Sequence, residues 1–102
     1  DYIRENYTDP GLSIGTIAGI YGMSAAALSL KYKEQTGMYP SEYLMLLRME
    51  KAKELLASTD MSIQDIGTSV GYYDASSFIR RFKQHMGVTP AKYRLLIKNP
   101  AG

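Results

Sequence analysis

Five side chains between positions 76 and 83 are of types that could act together: Ser76, Ser77, Arg80, Arg81 and Lys83. On a helix, steps of four and three put Ser76, Arg80 and Lys83 on one side. Ala75 and Ile79 share that side and Ser77 lies near its edge, while Phe78, Phe82 and Met86 fall opposite. A guanidinium is a planar fork of donors that fits a guanine edge or a phosphate. Hydroxyls donate or accept at a base edge, and an ammonium neutralises a phosphate. The chemistry of such a face is recognition of a polyanion, with no covalent step.

Catalytic groups are scarce. His85 is the single histidine and there are no cysteines, so neither a thiolate site nor a His cluster for a metal is expected. No cofactor is expected either. Gly15, Gly19 and Gly22 follow a turn rather than a strand, and their spacing is not that of a phosphate-binding loop. Gly15 and Gly19 are expected to permit close helix packing instead. No apolar run approaches ~20 residues, so no membrane span is expected. No signal peptide opens the chain and nothing implies an oxidising compartment, so the expected location is cytoplasmic.

The elements that position the basic face lie in Met61–Arg94. Ser62 can cap a short helix, with Asp65 completing a capping-box variant. Ile63, Ile66 and Val70 recur at helical spacing, and Gly71 ends the helix. Asp74 can cap a second helix that runs to about Met86 and stops at Gly87. Thr89 and Pro90 open a third, with Tyr93 and Ile97 inward. A short helix, a glycine turn and a helix with an exposed basic face form a helix-turn-helix pattern. Charge agrees. Asp1 through Asp74 hold six Lys/Arg and ten Asp/Glu, a balance of −4, whereas the six basic residues from Ala75 onward face no acid, a balance of +6. One-sided charge favours a polyanionic partner, although a solvated basic tail would look the same.

The 102 residues suit one domain, or two small ones sharing a helix. The rest of the chain reads as helix too. Asp1–Tyr7 looks like the end of a helix, starting without a cap as if cut from a longer chain. Ser13 caps a helix carrying Ile14, Ile17 and Tyr21 and ending at Gly22, and Ser24 caps one with Leu28 and Tyr32 inward, ending at Gly37. Pro40 opens a long helix to about Ser58, with an apolar stripe of Tyr43, Leu44, Leu47, Ala52, Leu55 and Leu56.

A shift of 49 residues then lays Ser13, Ile14, Ile17 and Gly22 on Ser62, Ile63, Ile66 and Gly71. Past the turn the shift becomes 50, and Leu28, Tyr32, Lys33, Gly37, Pro40 and Tyr43 fall on Phe78, Phe82, Lys83, Gly87, Pro90 and Tyr93. One supersecondary unit is encoded twice. The expected organisation is a first module over 1–39, a linker helix over 40–58 and a second module over 59–102. The linker is about 28 Å long at 1.5 Å per residue. Two reading helices, 24–36 and 74–86, could then enter adjacent major grooves ~34 Å apart.

The whole chain resembles the DNA-binding domain of the AraC/XylS family of bacterial transcription regulators. The carrying residues are Ile66-Gly67, Val70-Gly71-Tyr72, Ser76-Ser77-Phe78, Arg80-Arg81-Phe82-Lys83 and Gly87-Val88-Thr89-Pro90-Ala91-Lys92-Tyr93-Arg94. In the first half they are Ile17-Ala18, Gly22-Met23-Ser24, Leu28, Tyr32-Lys33 and Gly37. The resemblance implies an all-α fold of seven helices with two helix-turn-helix modules on a linker helix. It also implies a larger regulator, usually with a separate N-terminal sensing or dimerising domain. Its partner is double-stranded DNA, with RNA polymerase a further candidate and no membrane.

Base contacts are expected from Ala75, Ser76, Ser77, Ile79 and Arg80, and the resemblance places them there too. Arg80 on a guanine would supply ~1–3 kcal/mol of discrimination; on a phosphate it would supply none. Arg81 and Lys83 are assigned to phosphates. The first module departs from the family pattern, since Leu30 stands where many relatives carry Arg. Leu30 lies about 200° round the helix from Leu28 and should face outward. Ala26, Ala27, Ser29 and Leu30 could touch thymine methyls, with Lys31 and Lys33 on phosphates. Alternatively this module adds affinity without much selectivity, or Leu30 packs on another domain. Helix-opening amides after Ser24, Asp74 and Thr89 are further phosphate donors, and Arg48 and Lys51 are candidates unless each pairs with a nearby Glu. The competing function is a helical protein-interaction module with only non-specific DNA affinity. Within the DNA class, an output domain of a phosphorylation-driven response regulator is the subsidiary reading.

Overall fold

The computed structural model describes residues 2–98. Among these it contains seven helices and no strand: α1 (Tyr2–Asn6), α2 (Ile14–Ile20), α3 (Ala25–Thr36), α4 (Pro40–Ser58), α5 (Ile63–Ser69), α6 (Ala75–Met86) and α7 (Pro90–Lys98). The all-α expectation is met. Asp1 and residues 99–102, which the terminal module ranges include, lie outside the described part.

Local chemistry sets the helix ends. Ser13 and Thr16 form a reciprocal capping box: the Thr16 amide donates to Ser13 Oγ at 3.1 Å and the Ser13 amide to Thr16 Oγ1 at 3.0 Å. Ser24 Oγ accepts the Ala27 amide at 3.1 Å. Ser62 Oγ accepts the Asp65 amide at 3.0 Å, but the Asp65 carboxylate makes no return bond. The two longer reading-type helices, α3 and α6, stop alike. Gly37 and Gly87 each take φ +82°, a left-handed conformation that a side chain disfavours, and their amides close on Lys33 and Lys83 carbonyls.

Two cores share α4. The first gathers Ile3, Leu12, Ile17 and Leu44; the second gathers Met49, Ala52, Leu56, Ile66, Val70, Phe78 and Phe82. The second is the better filled. Phe78 and Phe82 are fully buried and stack in a chain from Tyr72 (5.7 Å between centroids) through each other (5.8 Å) to Tyr93 (5.5 Å). Helix α3, by contrast, buries no residue completely. Leu28 and Tyr32 point inward as expected but leave a cavity of about 410 Å³ beside Ile3, Ile17 and Pro40.

The packing differs from expectation at three places. Tyr21 sits just past the last helical residue of α2 and is 59% exposed at the rim of that cavity. Met49, absent from the expected stripe, is fully buried. Gly15 and Gly19 do not allow close packing: a Cβ on Gly19 would meet nothing within 4 Å, and one on Gly15 only Ser13 Oγ at 3.8 Å. The close approach is at Gly67 instead, where a Cβ would lie 2.9 Å from Phe78 Cβ. Gly67 matches Ala18 of the first module, and Phe78 matches Leu28. The smaller residue on α5 faces the larger one on α6.

The molecule extends 50 × 24 × 20 Å. Its ends are tied to α4 by two arginines. Arg48 Nε donates to the Tyr7 carbonyl at 2.8 Å and Nη2 to the Asp9 carbonyl at 3.1 Å. Arg94, on α7, donates to the carbonyls of Met61 (2.7 Å), Leu56 (3.2 Å) and Thr59 (3.3 Å). Tyr7 and Leu56 occupy the same place in the repeat, 49 residues apart. Each copy therefore has its entry loop pinned by a guanidinium from the helix that follows the copy.

Candidate nucleic-acid interface

Helix α6 presents its polar face because the opposite face is committed to the core. With Phe78 and Phe82 fully buried, Ser76, Arg80, Arg81 and Lys83 are left exposed. Ala75, Ser77 and Ile79 are half-buried, and Ile79 also packs against the second core. The face starts at a capped end. The Asp74 carboxylate accepts the Ser77 amide at 2.7 Å. That bond, with Arg80 nearby, holds the Asp74 carboxyl below the usual carboxylate range. Fixing this end fixes where Ser76, Ser77 and Arg80 project.

A cleft of about 270 Å³ separates the modules. Pro10 lines it from the first module, Arg48 from α4, and Tyr73, Asp74, Ser77, Arg80 and Arg81 from the second. Arg80 and Arg81 are thus brought to a concave surface along with the cap of α6.

Helix α3 offers a different surface. Ala26 and Ala27 are exposed, Ser29 is half-buried and Leu30 is 64% exposed. Ser24 caps it, and its hydroxyl already accepts a backbone amide. Lys31 and Lys33 are exposed, but they do not stand free alongside Leu30. Lys31 lines the first-module cavity, and the Lys33 ammonium lies 4.2 Å from the centroid of the Tyr39 ring. Ile20 and Tyr21 add exposed apolar area near this module.

The remaining phosphate candidates divide. Thr89 Oγ1 accepts the Lys92 amide at 3.2 Å and so caps α7. Lys51 pairs with Glu54 at 3.3 Å, the surface pair that was one of its two expected fates. Arg48 finds no Glu and lies half-buried, lining the cleft beside Arg80 and Arg81. Its donors go to the Tyr7 and Asp9 carbonyls, its Cζ lies 5.4 Å from the Tyr72 ring centroid, and burial lowers its pKa. These bonds give the side chain an internal role beside the one first assigned to it. Sequence reasoning missed both arginine clamps. The available signal was a cation on an apolar stripe: Arg48 follows Leu44 by four residues, and Arg94 adjoins Tyr93.

Among the described residues, no group of His, Cys, Asp and Glu could hold a metal ion, and no helix is long and apolar enough to cross a membrane.

Comparison with known proteins agrees with this geometry. A family model described as "Helix-turn-helix domain" matches residues 6–95. The raffinose operon transcriptional regulatory protein RafR of Pediococcus pentosaceus is 33% identical over 93 residues, covering 91% of this chain and 33% of that protein. The chain spans about a third of the length of the curated relatives first matched. The C-terminal domain of the two-component response regulator yesN from Fusobacterium nucleatum superposes with a TM-score of 0.86 at 35% identity, covering 91% of this chain and 90% of that one. The DNA-binding domain of AdpA, solved in complex with a target DNA, shares the fold at a TM-score of 0.81 and 23% identity, covering 99% of this chain and 92% of that one. The relatives are transcription regulators, not enzymes. The chain belongs to the AraC/XylS family of transcription regulators and is a helix-turn-helix domain of the kind with which that family binds specific DNA sequences.

Proposed function

We propose that the domain reads duplex DNA in two places, with α6 as the specifying helix and α3 as the weaker one. The observation that carries this is the exposed Ser76–Arg80–Lys83 strip backed by buried Phe78 and Phe82. Arg80 takes a guanine edge, Ser76 and Ser77 take neighbouring base edges or phosphates, and Ala75 and Ile79 supply apolar contact. Arg81, Lys83 and the helix end at Thr89 hold phosphates. In the first module Ala26, Ala27, Ser29 and Leu30 meet the groove, with Lys31, Lys33 and the helix end at Ser24 near the backbone. The working unit comprises 1–39, the linker 40–58 and 59–102, and it acts in the cytoplasm. In a longer regulator it works under an N-terminal sensing or dimerising domain and bears on RNA polymerase.

Selection of bound duplexes from random libraries of about 25 base pairs, two and a half turns, tests the reading. Two enriched blocks support it. Arg80→Ala should relax one or two positions in one block, whereas Lys83→Ala should weaken all sequences alike and flatten the salt dependence. Unchanged base preference in Arg80→Ala refutes the assignment of Arg80 to a base.

A second reading draws on Leu30, Ile20 and Tyr21, whose exposure gives the first module an apolar surface suited to a protein partner. Under it, no sequence would be enriched and affinity for DNA would be weak.

A further inference from the structure

Parts from three regions of the chain meet at Arg48. The loop after α1 supplies the Tyr7 and Asp9 carbonyls, α4 supplies the guanidinium, and the turn between α5 and α6 supplies Gly71 and Tyr72. The fit is tight. A Cβ on Gly71 would lie 2.6 Å from the Tyr7 carbonyl oxygen and 2.7 Å from Arg48 Nε, and Gly71 takes φ +114°. The turn that aims α6 therefore abuts the loop that leads into α2, with one guanidinium spanning both. A planar fork does this where an ammonium would not, because its donors have fixed directions.

We infer that Arg48 is a positioning residue that fixes the angle between the two modules, and so sets the spacing and helical phase of the two DNA blocks they read. The inference rests on the two-block reading above. Phase is a sensitive quantity, since inserting two base pairs rotates one block by about 70° relative to the other.

The chain has no cysteine, so Glu34→Cys with Gln64→Cys gives one spin label on each module without further changes. Pulsed dipolar spectroscopy on the free protein should give a narrow distance distribution with Arg48 and a broader or shifted one in Arg48→Met, with Arg48→Lys intermediate. On duplexes carrying both blocks, two inserted base pairs should weaken the parent about tenfold and Arg48→Met less than about threefold. The preferred bases within each block and the slope of affinity against salt should not change.

An unaltered distance distribution in Arg48→Met overturns the inference. So does a loss that is equal at every spacing and comes with a salt slope smaller by about one, which is the mark of a phosphate contact. If the parent enriches only one block, the two-block reading falls, and the distances alone decide whether Arg48 holds the modules. If Arg48→Met does not fold, Arg48→Lys and Gly71→Ala carry the test, the latter by forcing a methyl into the same junction. No shift in either overturns the inference.

Discussion

Replacing Gly67 by alanine is the most discriminating perturbation of the packing that aims α6. On an open helix this change stabilises by about 1 kcal/mol, because alanine loses less backbone entropy. At Gly67 the new methyl would lie 2.9 Å from Phe78 Cβ and 3.0 Å from Cγ and Cδ2. Phe78 cannot retreat: it is fully buried between Tyr72 and Phe82. Overpacking costs about 1–3 kcal/mol, and a clash with a Cβ that no rotamer change can move falls in the upper part of that range, about 2–3, so the net loss should be about 1–2 kcal/mol, or a fall in Tm of about 5–15 °C for a domain of this size. Phe78→Leu alone should also destabilise, by about 1–2 kcal/mol, through the space it vacates. Together the two changes install the pair found at Ala18 and Leu28 of the first module. Their combined cost should be smaller than the sum by at least about 1 kcal/mol. Thermal and urea unfolding of the four proteins measures that coupling. A neutral or stabilising Gly67→Ala, or strict additivity, would refute the argument that size matching at this contact sets the α5–α6 distance.

Three other outcomes follow from features of the same kind. Gly19→Ala, with nothing within 4 Å to meet, should stabilise by about 0.5–1 kcal/mol and raise Tm by a few degrees. Arg94→Ala should cost about 2 kcal/mol by stranding the carbonyls of Leu56, Thr59 and Met61, and Arg94→Lys should not restore it, as unfolding curves would show. The Asp74 carboxyl is held below its ordinary range, so its cap is fully effective above the unfolded carboxylate range and fades as pH falls through the lower folded value. Helicity and Tm between pH 7 and 3 should therefore decline less in Asp74→Asn than in the parent, and equal slopes would contradict the role given to this cap.

The features readable in the sequence are the ones with a local cause. Ser24, Ser62 and Asp74 cap because a short oxygen-bearing side chain reaches an amide three residues on, and Gly37 and Gly87 stop helices by adopting a left-handed backbone. Both leave marks within five residues. The 49- and 50-residue offsets extended that local grammar to the whole architecture. What escaped was non-local. Arg48 reaches back 41 residues and Arg94 as many as 38, each to backbone carbonyls that any residue type would provide. No pairing of side-chain types announces such a bond. The glycines were misjudged for a related reason: composition says where a Cβ is missing but not what stands opposite. Gly67 faces Phe78 while Gly19 faces open space, and only the crossing of α5 with α6 distinguishes them. On α6, the alternation of Phe78 and Phe82 with Ser76, Arg80 and Lys83 made burial and exposure legible at once. On α3, where alanines outnumber large side chains, the same reasoning had less to work with.

The unequal filling of the two cores has a consequence for how the domain opens. Helix α4 belongs to both, with Leu44 in one and Met49, Ala52 and Leu56 in the other. Losing the second core removes more of the wall than losing the first, since α4 gives Met49, Ala52 and Leu56 to the second and only Pro40 and Leu44 as buried residues to the first. The domain should therefore open in steps. Backbone amides of α2 and α3 should exchange with solvent through a partial opening that leaves α5, α6 and the rest of α4 protected, and only global unfolding should release those. Before it meets a partner, the chain would spend part of its time with one module formed and the other ajar.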